Sequence, residues 1–244
     1  MNRHCPVCGG TFANFLPIPE AYVRHQHALR VPFSLADFET LNLAEYLCPE
    51  CGAQDRDRLY ALYVRRWVES RGGAPLRILD IAPARALRRW LRRLPKARYR
   101  SGDLDPALAD ECVDVTDLSR FEDGSFDLIL CSHVLEHVPE ARLAMRELRR
   151  VLAPGGRAIL MVPVLTTRTS TDEDPTVTDV DERWRRFGQD DHVRMYARAD
   201  WLARLRESGW TIEEWGQAAF GAERLRTHGV SERSVLYVGV AEAA

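Results

Sequence analysis

Apolar residues recur along this chain in two alternating periods, and the alternation predicts an α/β fold. From Asp55 the run "DRDRLYALYVRRWVES" sets Leu59, Leu62, Tyr63 and Trp67 on one stripe of a helix, and Gly72-Gly73 ends it. Short apolar runs then alternate with helical patterns, which is the signature of a parallel sheet covered on both faces. Strands are expected near residues 76–81, 98–102, 111–115, 126–131, 157–162, 210–215 and 234–241. A helix over 84–94 keeps Leu87, Trp90, Leu91 and Leu94 in step, and a second starts at Pro139 and stops at "APGG" near Ala153. Residues 1 to about 53 show no long amphipathic pattern and read as a loop-rich module. The chain therefore divides into a small module with its linking helix, 1–72, and an α/β domain, 73–244. Residues 164–197 are too long and too acidic for an ordinary connection, as lids and binding segments often are.

Composition narrows the class. No run of 18 apolar residues is present, and "MNRHCPVCGG" lacks the apolar centre of a signal peptide, so a cytoplasmic protein without a membrane span is expected. A net charge of −2 argues against a dedicated nucleic-acid binder. Eight basic residues fall between Arg85 and Arg100 without an acid among them. The apolar stripe of the 84–94 helix leaves its arginines on the outer face, so they read as a solvated surface.

Four of the six cysteines form two copies of one pattern, "CPVCGG" at 5–10 and "CPECGA" at 48–53. Two such knuckles close one tetrahedron, so Cys5, Cys8, Cys48 and Cys51 are expected to hold a structural Zn²⁺. Four thiolates leave no open position on the ion, which argues against a catalytic zinc. The 39 residues between Gly9 and Leu47, both counted, must fold as an excursion.

Three acids stand at successive strand ends: Asp80 in "ILDIAPARAL", Asp103 in "GDLDP" and Asp114 in "DVTDL". An open α/β sheet binds nucleotides at that edge. Together with "DVTDLSRFEDGSFDLILCSHVLEHVPE", "LRRVLAPGGRAILMVP" and "DHVRMYARADWLARLRESGW", these stretches make the chain resemble the class I S-adenosylmethionine (SAM)-dependent methyltransferases, particularly the type 11 group, over roughly 76–215. The resemblance implies a Rossmann-like seven-stranded methyltransferase sheet. It implies that Asp103 accepts the ribose hydroxyls, that Asp114 with the Val115 backbone holds the adenine, and that Asp80 with the Ala82 backbone holds the amino-acid end. Ser132 belongs to the same cofactor set. Members of the group show D-x-G-x-G at the first loop, whereas Ala82 and Ala84 stand here around Pro83. Alanine permits a close backbone approach at negative φ, so a proline-shaped turn is expected.

Catalytic candidates follow the fourth strand, where Ser132, His133, Glu136 and His137 lie together. On a helical turn His133 and His137 would share a face with Glu136 offset, and no third metal ligand is evident. In "FGQDDHVRMYAR", residues 187–198, His192 and Tyr196 are the expected substrate-side contacts, and Arg194 suits a carboxylate or phosphate. The implied activity is methyl transfer from SAM to a small molecule, such as a sugar or specialised metabolite. The alternatives are RNA or protein methylation guided by the zinc module, and a non-catalytic methyltransferase-like partner.

Overall fold

The computed structural model describes residues 2–241. Seven strands form one sheet: β1 (Leu76–Ile81), β2 (Ala97–Asp103), β3 (Glu111–Cys112), β4 (Phe126–Ser132), β5 (Leu152–Met161), β6 (Thr211–Trp215) and β7 (Leu236–Val240). Their spatial order is β6-β7-β5-β4-β1-β2-β3. Neighbours run parallel except β7, which is antiparallel to both β5 and β6. The central strands β1 and β4 are almost continuously apolar because helices cover both of their faces.

The expected strands are all present, with shifted ends. The third stops at Cys112, and the fifth starts at Leu152, directly after the preceding helix. Its register against β4 slips between Phe126 and Leu128, where "APGG" bulges with Gly155 at φ +72°. Gly102 near the end of β2 is required by close approach, since a Cβ there would lie 2.3 Å from Val113 Cγ2.

The helices are α1 (Glu20–Ala28), α2 (Asp55–Ser70), α3 (Arg85–Leu91), α4 (Ala141–Val151), α5 (Val180–Phe187) and α6 (Arg198–Glu207), followed by two short ones, Gln217–Phe220 and Ala222–Thr227. Leu59, Leu62 and Tyr63 of α2 are buried, as are Leu87, Trp90 and Leu91 of α3. Among the described residues no helix is long and apolar enough to cross a membrane.

The N-terminal module is fastened to the sheet domain by Arg58 of α2, whose side chain is fully buried. Its guanidinium donates to the carbonyls of Glu45, Tyr46, Ala53, His228 and Gly229, and it stacks 3.9 Å over the Phe15 ring. Cys5, Val7, Phe15 and Cys48 join the same apolar core as the sheet. A second apolar cluster binds the excursion to the long connection after β5: Leu35 and Phe38 pack with Leu165, Phe187 and Met195. That connection is therefore a folded wall. It carries α5 and a pair of two-residue strands, Asp172–Glu173 with Arg194–Met195.

Candidate active site

The three acids line the carboxyl edge of β1, β2 and β3. Asp80 is buried beneath the first loop, paired in register with Ser101 of β2 and Leu130 of β4. Burial raises its carboxyl to about 7, although Tyr99 donates a hydrogen bond of 2.7 Å to Oδ2. Asp103 is half-buried at the tip of β2, and its Oδ1 accepts the Asp105 N–H at 3.0 Å. Asp114 is exposed; its Oδ1 takes both the N–H and the hydroxyl of Thr116, at 2.8 and 2.7 Å. Val115 beside it is buried, and Ser132 shares a hydrogen bond of 2.8 Å with Tyr60 of α2.

The first loop corrects the expected turn. Ala82 sits at φ +50°, in the left-handed region, with its N–H bonded to the Gly102 carbonyl at 2.8 Å. The conformation that glycine supplies without strain is retained here by an alanine, at a cost on the order of 1–3 kcal/mol. Ala84 caps α3 at φ −67°, a conformation open to any residue. The loop thus keeps its path and adds only methyl groups, and Ala82 remains exposed. The acids, the retained turn and the switch of strand order between β1 and β4 fit a nucleoside bearing a cationic amino-acid end.

Beside this crevice, over the tips of β4 and β5, lies a cavity of about 610 Å³. Its walls include Tyr22 and Phe38 of the excursion, Arg56 of α2, His133, Glu136 and His137 after β4, Val162, Pro163 and Val164 after β5, and Phe187, Gly188, Gln189 and His192 of the long connection. His133 has φ +56° and is tied by its N–H to the Met161 carbonyl at 2.8 Å, so the chain turns sharply at the end of β4. No helix follows there, and the pairing differs from the expected His133–His137 face. His133 Nδ1 lies 3.2 Å from Glu136 Oε1, whereas the His137 ring meets His192 edge-on at 4.6 Å. Burial, with the Arg56 charge adding to it, pushes the His133 imidazole down to about 4 and keeps it neutral. His192 is likewise lowered by burial.

His133, His192 and Gln189 reach this chamber, but two other candidates do not. Tyr196 is completely buried against Trp201, with its hydroxyl directed at the Leu135 carbonyl at 3.5 Å. Its role is packing, and the whole stretch from His192 to Ala197 is buried with it. Arg194 is also fully buried. It donates to the carbonyls of Leu135, Val138 and Pro139 and pairs with Glu173 at 2.6 Å, so it fixes the loop after β4 and is not available to a substrate anion.

Residues that the sequence reading passed over also line the chamber: Tyr22, Glu39, Tyr46, Gln54 and Arg56. No period marked them: the charges in step with Leu59 and Leu62 on α2 are Asp55 and Arg58, which bind backbone groups and do not line the chamber.

At the N-terminus the four cysteine sulfurs lie within 4.8 Å of one another, with Cys5–Cys51 and Cys8–Cys48 at 3.8 Å. A tetrahedron with metal–sulfur bonds near 2.3 Å has edges of about 3.8 Å, so the group fits a tetrahedral ion. The knuckles repeat each other: Gly9 and Gly52 both take positive φ, and each donates its N–H to the carbonyl of the first cysteine of its pair.

Residues 65–160 match the model of a methyltransferase domain. Over that stretch the chain is similar to a methyltransferase domain. An uncharacterized methyltransferase of Bacillus subtilis, YcgJ, is 32% identical over 83 residues, covering 34% of this chain and 30% of that protein. A ubiquinone biosynthesis O-methyltransferase of Xanthomonas oryzae is 44% identical over 46 residues, 19% of each chain. The matches thus span less than a third of these relatives. Among solved structures, an O-methyltransferase family protein from Burkholderia thailandensis superposes with a TM-score of 0.51 at 18% identity, covering 77% of this chain and 57% of its own. The CurJ carbon methyltransferase gives 0.51 at 17% identity, with 77% and 54% covered. The residues before α2 that line the chamber, Tyr22 and Phe38 among them, lie outside residues 65–160.

Proposed function

We propose that this chain transfers the methyl group of SAM to a small molecule held in the chamber over β4 and β5. The observation that carries the reading is the size and lining of the cavity. The cavity of about 610 Å³ is of the size that takes a small ligand, and it is walled by the module as well as by the sheet domain. Among the described residues lining it, Arg56 is the one arginine or lysine, a poor match to a polyanionic backbone.

SAM, when bound, supplies an electrophilic methyl on a sulfonium. The chain's part is to grip the cofactor, align the acceptor and exclude water. Asp103 accepts the ribose hydroxyls, and Asp114 accepts the adenine amine through the oxygen that Thr116 leaves. Asp80 attracts the ammonium group near the Ala82 backbone, while Val115 and Ser132 border the cofactor. His133, one residue beyond Ser132, stands where the crevice meets the chamber, and its neutral ring takes the proton of an acceptor that must lose one. The cysteine group holds a structural Zn²⁺ that stiffens the module and so keeps the chamber wall in place.

The test is S-adenosylhomocysteine formation from SAM with cell extract split by size. Turnover supported by the low-mass fraction and lost in Asp103→Ala supports the reading. Turnover supported only by RNA or protein fractions refutes the small-molecule assignment.

A further inference from the structure

We propose that Glu136, His137 and His192 form a second metal site, for a divalent first-row transition ion, whose open positions face the chamber. One donor atom from each residue lies within 4.8 Å of the others. Bonds of about 2.0–2.2 Å would bring such donors to roughly 3–3.5 Å apart, a closure that side-chain rotation supplies.

The independent observation is the state of Glu136. Its side chain is completely buried, yet among the described residues neither carboxylate oxygen accepts a well-aligned hydrogen bond. His133 approaches Oε1 at 3.2 Å but without hydrogen-bond alignment. A buried carboxylate faced only by imidazoles, among the described residues, is costly, and a cation shared with them offsets the cost.

The two histidines are already prepared as ligands. The Nδ1–H of His192 donates to the Phe187 carbonyl at 2.9 Å, which directs the lone pair of Nε2 toward Glu136, 3.9 Å from Oε1. His137 Nδ1 lies 3.2 Å from the Asp191 carboxylate, the outer partner that orients metal-bound imidazoles. The Val193 N–H bonds the Glu136 carbonyl at 3.0 Å, so the backbone itself holds the two halves of the site together.

Two imidazoles and one carboxylate suit Zn²⁺, Mn²⁺ or Fe²⁺ and leave coordination positions free. Those positions name the acceptor's chemical class: a hydroxyl whose oxygen ligates the ion and is thereby acidified. This step rests on the methyl-transfer reading, whereas metal binding does not. In it the oxygen–methyl bond forms as the sulfur–methyl bond breaks, S-adenosylhomocysteine departs, and the hydroxyl proton passes to His133.

The full chain, washed with a mild chelator, is titrated with Mn²⁺ alone and followed by electron paramagnetic resonance, with metal in the cysteine group counted by elemental analysis. One saturable Mn²⁺ per chain is expected, weakened at least tenfold in Glu136→Gln and in His137→Ala, with the cysteine-group metal retained. His137 is only half-buried, so its truncation leaves the core intact even if Glu136→Gln unfolds. Absence of saturable binding to the wild-type chain, or binding in His137→Ala equal to wild type, overturns the site. S-adenosylhomocysteine binding measured on the same sample separates the two readings: a chain that binds Mn²⁺ but not this ligand keeps the metal site and loses methyl transfer.

Discussion

Asp80 couples the cofactor crevice to pH. Only its ionised form attracts an ammonium group, and burial holds the carboxyl near 7 against the opposing Tyr99 hydrogen bond and Arg88 charge, with Asp57 adding to the rise. Affinity for S-adenosylhomocysteine should therefore rise about tenfold between pH 6 and pH 8, and calorimetry in Asp80→Asn should show this dependence removed. The sign for stability is opposite. A carboxyl raised in the folded state favours folding below its unfolded value, near 4, and that advantage disappears as pH climbs through about 7. Asp80→Asn should gain in melting temperature relative to wild type as pH rises across this window; a constant difference would contradict the burial argument. Ala82 gives a second residue-scale expectation. At φ +50° a β-branched side chain is more strained than alanine, so Ala82→Val should lose about 1–3 kcal/mol in urea unfolding, while Ala82→Gly should be neutral or slightly stabilising.

At the scale of elements, the loop after β4 depends on Arg194. Replacing it by methionine removes the guanidinium that the carbonyls of Leu135, Val138 and Pro139 share and one of the two arginines paired with Glu173, Arg204 being the other, a loss of about 1–3 kcal/mol by denaturant unfolding. A cost below about 1 kcal/mol would mean that the guanidinium is dispensable to the loop. The sequence disclosed the strands and helices of the α/β domain because each is long enough to display its period: α3 keeps Leu87, Trp90 and Leu91 inward as read. It did not disclose the loop after β4, where positive φ at His133 breaks the helical spacing on which the His133–His137 pairing was based. Nor did period distinguish Tyr196 from a substrate contact, since "VRMY" carries polar and aromatic residues that the two-residue strand and its neighbours bury completely. His192 joins Glu136 through a contact 56 residues apart in sequence, and no local pattern carries that information.

For the whole molecule, the excursion and the long connection meet beside the tips of β4 and β5 and both line the chamber. The cysteine group was legible from spacing, because the same Cys-Pro-x-Cys-Gly pattern occurs twice. The chamber was not, since Phe38 and Leu165 come together only in the folded chain. Removing metal from the cysteines should loosen the module, its Arg58 fastening and the chamber wall together. A strong chelator, or Cys48→Ser, is expected to lower the melting temperature by several degrees and abolish turnover. Unchanged melting after verified zinc loss would show that the knuckles hold without an ion.

The central claim is that the acid-lined edge still grips the cofactor although alanine replaces glycine in the first loop. Isothermal calorimetry with S-adenosylhomocysteine tests it most directly. The account predicts one site per chain with a roughly micromolar dissociation constant at pH 8, weakened by about tenfold to a hundredfold in Asp103→Ala. No heat from the wild-type chain, or equal binding by Asp103→Ala, would contradict it.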